Sequence, residues 1–460
     1  MGSEWPVQTL KKSGVALIDC VHKTPKAVEQ GYPYIGIPQM KAGRIDFEAG
    51  PRLIAKSDLE EWTKKANPLK DDVVLSRRCN PGETAHVSGQ VKFALGQNLV
   101  LLRSDSSQVL PNFLRWLVRG PQWWGQVGKY LNTGAVFDSL KCADIPNFEL
   151  PIPPLQEQQN IAKVLSAIDD KIVLNQQINT TLETMAQALF KSWFVDFDPV
   201  IDNALAAGNP IPEELKARAD ARGALGDQRK PLPDHIRRQF PDRFVLTEEI
   251  GWVPEGWEVR SVYDIAKFIN GAAFKSEHFS GAAIAKPILK IAEIKNGVSR
   301  QTKFTTQTLD SKYQVTHGDI LFSWSGNPDT SIDTFVWTGV DGWLNQHIFK
   351  VVTTSKTERL FTYYLLKHLK PVFADVARDK QTTGLGHVTV KDLKRLQTIK
   401  PPQLVTKLFE DQVAPLFQSW LGNLDQSNVL SKTRDILLPK LLSGELRVPE
   451  AEKKLEEVAL

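Results

Sequence analysis

The chain has 460 residues, too many for one hydrophobic core, and this length suggests about three domains. With 24% charged and 42% hydrophobic residues it has a globular composition, and its net charge of +4 is compatible with a polyanionic partner without indicating one. Three isolated cysteines, no run of roughly 18 apolar residues and no secretory signal pattern argue against a disulfide framework, a membrane span and export. We expect a cytoplasmic protein without membrane contact.

The first part of the chain, from Trp5 to Ile152, has the pattern of a mixed α/β domain. Short β-type runs alternate with turns, and polar loops follow the apolar runs. The predicted elements are strands at Val73–Leu75 and Leu99–Leu102, polar loops at Ser76–Gly82 and Lys129–Phe137, and a helix around Pro111–Val118.

A long amphipathic helix is predicted next. The pair Pro153-Pro154 precedes an apolar-periodic run that continues to Phe194, and proline suits the first turn of a helix. The 3.5-residue spacing indicates a coiled-coil seam. The seam residues are Ile161, Leu165, Ile168, Ile172, Leu182 and Leu189.

Residues 196–246 change character and are rich in Pro, Ala, Asp and Arg. We interpret them as a linker with one short helix at Pro212–Arg222. Asp196, Asp198 and Asp202 could suggest a metal site, but no matching ligand pattern follows, and spaced acids in a solvated linker are the simpler explanation. We expect no metal.

The second half of the chain repeats the first. The segment GDILFSWSGNP at Gly318–Pro328 matches DDVVLSRRCNP at Asp71–Pro81, and LNQHI at Leu344–Ile348 matches LGQNL at Leu95–Leu99. A second Pro-Pro pair, Pro401-Pro402, opens a second long helix. Its seam residues are Phe409, Val413, Leu416, Trp420, Leu430 and Leu437. Internal duplication is the strongest feature of this sequence.

Catalytic interpretations find little support. The chain has no phosphate-binding G-x-x-x-x-G-K-[ST] loop, no G-x-S-x-G nucleophile elbow and no dinucleotide-type Gly-rich turn, so we expect no cofactor and no catalytic centre. Asp72 and Asp319, at matched positions before a buried strand, suit turn acids that bond nearby backbone N–H groups. His347 and His387 lack an evident catalytic partner at informative spacing.

Binding interpretations fare better, because the predicted turns carry cations and amides. Cations can neutralise phosphates, and Arg, Asn and Gln can pair with base edges in the major groove. The candidates in the first half are Lys23, Lys26, Lys41, Arg44, Arg77, Arg78, Asn80, Lys129, Asn132 and Thr133. Those in the second half are Lys275, Lys290, Lys295, Asn296, Trp324, Ser325, Asn327, Lys380, Thr382, Thr383 and His387.

Five motifs in this order resemble the specificity subunit of type I restriction–modification systems. They are P-P-L-x-E-Q at Pro153–Gln158, A-L-F-K-S-W-F-V-D-F-D-P at Ala188–Pro199, P-E-G-W at Pro254–Trp257, G-D-I-L at Gly318–Leu321 and L-L-P-K-L-L-S-G-E-L at Leu437–Leu446. The resemblance covers nearly the whole chain. It departs at the second helix, where Gln403-Leu404-Val405-Thr406 replaces the E-Q after Pro-Pro.

The resemblance implies a non-catalytic subunit that binds double-stranded DNA, each of two target-recognition domains reading half of a bipartite site. Two methyltransferase (modification) subunits, using S-adenosylmethionine, and ATP-dependent translocase/nuclease (restriction) subunits would join it. The implied fold is α+β, with duplicated mixed α/β domains separated by two long helices packed as an antiparallel coiled coil with a pseudo-twofold. The expected ranges are 1–152 and 247–400 for the recognition domains, 153–195 and 401–446 for the helices, 196–246 for the linker and 447–460 for the tail.

Asn175 and Asn423 occupy the same seam position near the midpoints of the two helices. In an antiparallel pair the midpoints meet, so we predict that these amides hydrogen-bond and fix the helix register. Other functions remain open: a stand-alone bipartite DNA-binding regulator or antirestriction decoy, a self-contained DNA-modifying enzyme, and a protein scaffold that never binds DNA.

Overall fold

The structure is a computed structural model that describes residues 5–89, 91–134, 137–226, 232–381 and 385–459. Its contacts divide the chain into two units: Met1–Leu174 with Gln426–Leu460, and Asn175–Asp425. Both units combine helices and sheets, so the α+β prediction is confirmed. Within the described residues, no helix combines the length and hydropathy that crossing a bilayer requires.

The first unit is built on a six-stranded sheet whose central strands, Leu99–Ser104 and Val73–Ser76, are antiparallel and mostly buried. In spatial order the strands are Val15–Asp19, Leu99–Ser104, Val73–Ser76, Thr84–His86, Arg44–Ile45 and Met40–Lys41. A three-stranded sheet contains Arg52–Ile54, Tyr32–Ile35 and Ala94–Leu95, and Val7–Thr9 pairs with Glu149–Pro151.

Helices cover one face of this sheet. The apolar residues Phe113, Trp116 and Trp123 are fully buried beneath the long-helix segments of the same unit. Helix Lys56–Thr63 packs through Leu59 against the three-stranded sheet instead. The helices on the six-stranded sheet are Pro111–Leu117, Pro121–Tyr130 and Val448–Ala459, and the last of these lies in the expected tail. Val448 and Ala451 anchor that helix in the core, which explains why the tail is folded.

The second unit has two four-stranded sheets. The first has the order Lys267–Asn270, Ile348–Val352, Ile320–Ser323 and Asp333–Val336. The second has the order Phe304–Thr305, Lys286–Leu289, Gly342–Leu344 and Gln314–Val315. Two-stranded pairs join Phe244–Thr247 to Gly251–Pro254, Glu258–Ser261 to Gln397–Lys400, and Ser325–Gly326 to Gly386–His387.

The segment 196–246 differs from the expected solvated linker. Its described residues include the α-helices Asp198–Ala207, Glu213–Ala224 and Asp234–Arg237. Val200, Ile201 and Ala204 share one face of the first of these helices and are fully buried, and Val200 packs in the main core of the second unit. Other α-helices described in this unit are Ile291–Asn296, Arg359–His368, Lys370–Arg378 and Val390–Arg395.

The internal duplication extends to strand register. Ser76 lies opposite Leu99 in the first unit, and its counterpart Ser323 lies opposite Ile348 in the second. Each unit also contains a parallel pair, Tyr32–Ile35 with Ala94–Leu95 and Lys286–Leu289 with Gly342–Leu344. Matched residues therefore occupy matched positions in each domain.

The two predicted long helices are present at Leu155–Phe194 and Gln403–Ser443. Their segments pack antiparallel within each unit: Asp169 contacts Arg434 in the first, and Phe190 contacts Phe409 in the second. The seam shifts in the second half of the first helix, where Ala186 and Phe190 are buried and the predicted Leu182 and Leu189 are half-buried. Phe190 also contacts Phe361, so this segment packs against the domain as well as the other helix.

Asn175 lies fully buried in this helix pair, within the second unit. Its side-chain amide donates to the backbone carbonyl of Asn423 at 3.4 Å. The side chain of Asn423 in turn donates to the Asn179 side-chain oxygen at 2.9 Å, and Asn179 donates to the carbonyl of Trp420 at 3.0 Å. The polar seam thus includes Asn179, which the sequence did not single out, and its role in setting register stays a prediction.

Candidate functional site

In the first unit, the loop at residues 76–82 (the Arg77 loop) leaves the end of a central strand in a fixed conformation. Ser76 donates its backbone N–H to Glu83 and accepts one from Gly82, while its hydroxyl donates to the carbonyl of Arg78 at 2.9 Å. Gly82 has φ +94°, and a Cβ there would lie 2.7 Å from Val127, so the turn requires glycine. These hydrogen bonds and the glycine turn give the loop a defined conformation.

Arg77 is held at both sides of its backbone. Its N–H donates to the carbonyl of Asn98 at 3.1 Å, and its carbonyl accepts from Leu140 at 2.8 Å. The Arg77 side chain is only 9% exposed, and its buried Nε has no hydrogen-bond partner among the described residues. The next residue, Arg78, is half-buried with its guanidinium 5.6 Å from the Phe137 ring.

Asn132 joins this site through Ser139. Arg78 and Asn132 both form isolated β-bridges with Ser139, so the Arg77 loop and the predicted Lys129–Phe137 loop meet. The Asn132 side-chain amide donates to the carbonyls of Tyr130 and Ser139. Asn80 and Thr133 lie exposed nearby in sequence. Arg77, Arg78 and Asn132 are therefore the predicted residues that the first unit brings together.

Two thiols lie in the electrostatic range of Arg77. Burial raises the pKa of Cys20 to about 11, so this thiol is neutral at pH 7 although Arg77 opposes the shift. Burial likewise raises the pKa of Cys142. Asp19, Cys20 and His22 bring three potential metal-ligand atoms within 4.8 Å, but the Lys65 ammonium already lies 3.2 Å from Asp19 and would repel a cation.

The second unit repeats this construction with different side chains. In its loop at residues 323–328 (the Trp324 loop), the N–H of Trp324 donates to the carbonyl of His347 at 3.4 Å, and its carbonyl accepts from Val388 at 2.8 Å. Ser325 pairs with His387 across a short antiparallel ladder. Trp324 thus occupies the position that Arg77 occupies in the first unit.

Aromatic and amide groups surround Trp324. Its indole N–H donates to the Asn270 side chain at 3.0 Å, and its ring lies 5.6 Å from His347 and 5.8 Å from His387. Burial, with the neighbouring charges of His387 and Lys290, lowers the pKa of His347. Sequence reasoning considered His347 only as a catalyst and missed Asn270; the match of LNQHI to LGQNL was the available signal for His347.

The turn-acid interpretation of Asp72 and Asp319 is confirmed. Asp72 accepts from the N–H of Leu69 at 2.7 Å, and Asp319 accepts from the N–H of Thr316 at 2.7 Å. A cation from the adjacent strand pairs with each, Arg103 at 2.6 Å and Lys350 at 2.7 Å. These carboxylates support the strand ends on which the two loops are built.

Several predicted cations have partners inside the protein. Lys41 pairs with Asp46, Arg44 with Asp169, Lys129 with Glu149 and Lys380 with Asp392, while Lys295 donates to the carbonyl of Thr330. The Asn327 side-chain oxygen caps the backbone N–H groups of Asp329 and Thr330.

The remaining predicted residues lie elsewhere on the two units. Lys23, Lys26 and Asn296 are exposed, the Lys275 N–H bonds to His278, and the Lys290 ammonium lies 5.7 Å from the Phe279 ring. Thr382 and Thr383 fall outside the described residues.

Asp196, Asp198 and Asp202 form ion pairs, not an open metal site. Lys191 bonds to Asp196, Arg218 pairs with Asp198 at 2.7 Å, and Arg222 pairs with Asp202. Burial alone would raise the pKa of Asp198, but Arg218, Ser192 and Arg222 outweigh it and lower the pKa. These acids are structural in the second unit.

The chain is similar to known proteins over most of its length. The family described as "Type I restriction modification DNA specificity domain" matches residues 16–184 and 254–407. The HindI type I restriction enzyme specificity subunit of Haemophilus influenzae is 26% identical over 422 residues, which cover 85% of this chain and 89% of that protein. The MjaIX specificity subunit of Methanocaldococcus jannaschii is 26% identical over 416 residues, covering 88% and 84%.

The fold is also similar to that of a solved protein. The crystal structure of a type I restriction–modification S subunit from M. genitalium has a TM-score of 0.53 at 14% identity, covering 95% of this chain and 96% of that one. The similarity shows a common fold. Since the family match includes both copies of the duplicated domain and more than half of the residues, the chain belongs to the type I restriction–modification DNA specificity domain family.

Proposed function

We propose that this chain is the DNA specificity subunit of a type I restriction–modification complex, and that each recognition domain reads one half of a bipartite duplex site. In this proposal residues 1–152 and 247–400 are the recognition domains, and residues 153–195 and 401–446 are the spacer helices. Residues 196–246 connect the two halves, and residues 447–460 form the tail.

The observation that carries the proposal is the repeated loop construction with divergent side chains. The same two backbone hydrogen bonds hold Arg77 and Trp324, although one is a cation and the other an aromatic ring. A shared scaffold that presents different chemistry is what two modules for two different targets require. Matched catalytic groups would have kept their side chains in both copies.

The long helices have a separate part in the proposal. They contain 40 and 41 residues, which at 1.5 Å per residue is about 60 Å each. We propose that they set the spacing between half-sites, on the order of one DNA turn (~34–36 Å), and dock two modification subunits. Those subunits would supply the methylation chemistry with S-adenosylmethionine, and restriction subunits would supply ATP-dependent cleavage.

The test is to co-express the full chain with its modification subunit and sequence the methylated adenines in the host DNA. We expect methylation at one bipartite motif, and we expect affinity for duplexes with that motif to fall steeply with salt because phosphate neutralisation releases counterions. Absence of any motif, or salt-insensitive binding, would contradict the proposal and favour a protein scaffold.

A stand-alone DNA-binding regulator or antirestriction decoy is the main alternative, since the loops could read DNA without a partner. Co-purification discriminates between them. A specificity subunit remains bound to a methyltransferase subunit through size-exclusion chromatography, whereas a regulator binds its bipartite site with full affinity alone.

A further inference from the structure

Arg77 is a buried cation to which the described residues supply no counter-ion. The residue is only 9% exposed, and among the described residues its buried Nε has no hydrogen-bond partner and no carboxylate forms an ion pair with it. Elsewhere in the first unit, the buried Arg115 and the partly buried Arg434 both pair with Asp169. An unpaired buried guanidinium is costly, so Arg77 has an unmet demand for acceptors.

Among the residues that the structure describes, no neighbouring group supplies acceptors to the Arg77 side chain. The thiols of Cys20 and Cys142 are protonated because burial raises their pKa values. Asp19, the nearby carboxylate that also acts on these thiols, bonds to His22 at 2.9 Å and Lys65 at 3.2 Å. A ligand can supply the acceptors that Arg77 lacks among the described residues.

The backbone of Arg77 is held in place, whereas its guanidinium lacks acceptors among the described residues. Hydrogen bonds to Asn98 and Leu140 hold both of its peptide groups, and the surrounding core restricts the side chain. A guanidinium whose conformation is restricted cannot easily follow a sugar–phosphate backbone of variable geometry. The same restriction means that it loses little conformational entropy when it binds a planar pair of acceptors. Exposed Lys23 and Lys26 are better suited to phosphates.

We infer that Arg77 reads a guanine in the half-site bound by the first unit, through the O6 and N7 acceptors of the major-groove edge. This inference rests on the proposed function and adds the base chemistry of one half-site. Arginine donating to both guanine acceptors is the commonest specific protein–DNA contact. Arg78, stacked against Phe137, flanks that contact.

The second unit reads its corresponding position differently. Trp324 occupies the position in the second unit that matches Arg77, but its indole N–H already donates a hydrogen bond to Asn270. Its ring offers an apolar face, which suits a thymine methyl and not the acceptors of guanine. Of the two matched positions, only that of Arg77 should therefore make DNA affinity depend on a guanine N7.

The test replaces each guanine of the methylated motif, one at a time, by 7-deazaguanine, which lacks the N7 acceptor but keeps Watson–Crick pairing. Duplex affinities are measured for the wild-type chain and for Arg77→Gln, each co-expressed with the modification subunit. We expect one guanine at which the replacement weakens wild-type binding by about tenfold to a hundredfold and has no further effect in Arg77→Gln. Trp324→Phe serves as the matched variant and should keep the coupling between Arg77 and that guanine.

Two results would overturn the inference. In one, the loss of affinity caused by 7-deazaguanine is the same in the wild type and in Arg77→Gln at every guanine of the motif. A motif without any guanine would have the same meaning. In the other, Arg77→Gln weakens all duplexes alike and lowers the salt slope by about 1, as for a phosphate contact. If Arg77→Gln does not fold, Arg77→Lys keeps the charge without the planar fork and takes its place. Failure of the proposed function would look different, because the wild-type complex would then prefer no duplex over a scrambled one.

Discussion

Arg434 of the second long helix donates a hydrogen bond of 2.7 Å to Asp169 of the first long helix, within the first unit. The same carboxylate accepts from Arg115 of the recognition domain at 2.5 Å, and Arg44 lies 3.4 Å away. Burial alone would raise the pKa of Asp169, but the bond and charge of Arg434, with Arg115 and Arg44, outweigh it and lower the pKa. One buried carboxylate thus joins three separate segments of the chain.

Replacing Asp169 by Asn should destabilise the first unit by about 3 kcal/mol, because it leaves the buried Arg115 without its ion-pair partner and removes one of the two carboxylates that pair with Arg434. Urea unfolding measured by tryptophan fluorescence gives the change in the free energy of unfolding. The control is Asp170→Asn. The Asp170 side chain neighbours Asp169 in sequence but is 75% exposed, so this substitution should change the free energy of unfolding by less than about 0.5 kcal/mol. Equal effects of the two variants would show that Asp169 has no special structural role.

The contribution of Asp169 should depend on pH in the acid range only. Because its folded pKa lies below the unfolded value of about 3.9, the carboxylate stabilises fully above that value and loses its contribution as pH falls through the folded pKa. The stability difference between wild type and Asp169→Asn should be constant from pH 7 to 5. Below about pH 4 it should shrink by up to about 1.4 kcal/mol per pH unit. A difference that collapses near pH 6, or persists unchanged at pH 3, contradicts the assignment.

The polar seam of the second unit should show strong pairwise coupling. Asn179→Leu leaves the Asn423 amide without one of its acceptors and should cost about 1–2 kcal/mol. Adding Asn423→Leu should recover most of that loss, because an apolar pair replaces a hydrogen-bonded one. Gln176→Leu, at an exposed position of the same helix, is the control.

The functional consequence of the same double variant should appear in the spacing between methylated half-sites. Buried polar residues in a coiled-coil seam trade stability for register. We therefore expect the double variant to methylate motifs with more than one spacer length. A single unchanged spacer would show that register is set elsewhere.

Exchanging the Arg77 loop should change one half-site only. A chimaera in which Ser76–Gly82 come from a relative with a different motif should keep the half-site read by the second unit, since both loops are anchored within their own domains. Sequencing of methylated adenines reports both halves together. Simultaneous change of both half-sites would argue against modular recognition.

The sequence by itself determined the duplication, the two long helices and the turn acids, because all three depend on local patterns. Proline followed by apolar periodicity specifies a helix start, and an acid before a buried strand specifies a turn, without knowledge of distant contacts. The same local logic failed for residues 196–246. Their Pro- and Arg-rich composition indicated a linker, whereas Val200 is buried in a core formed by residues far along the chain.

Only the tertiary structure decided which candidate site residues belong together. Arg44 is drawn to Asp169, and Trp324 meets Asn270 and His347, through contacts between segments that composition and spacing do not connect. That no described carboxylate pairs with Arg77 is likewise invisible in sequence, since it depends on which carboxylates the fold places elsewhere. Electrostatic partners are chosen by three-dimensional distance and burial, and these emerge only when the chain has folded.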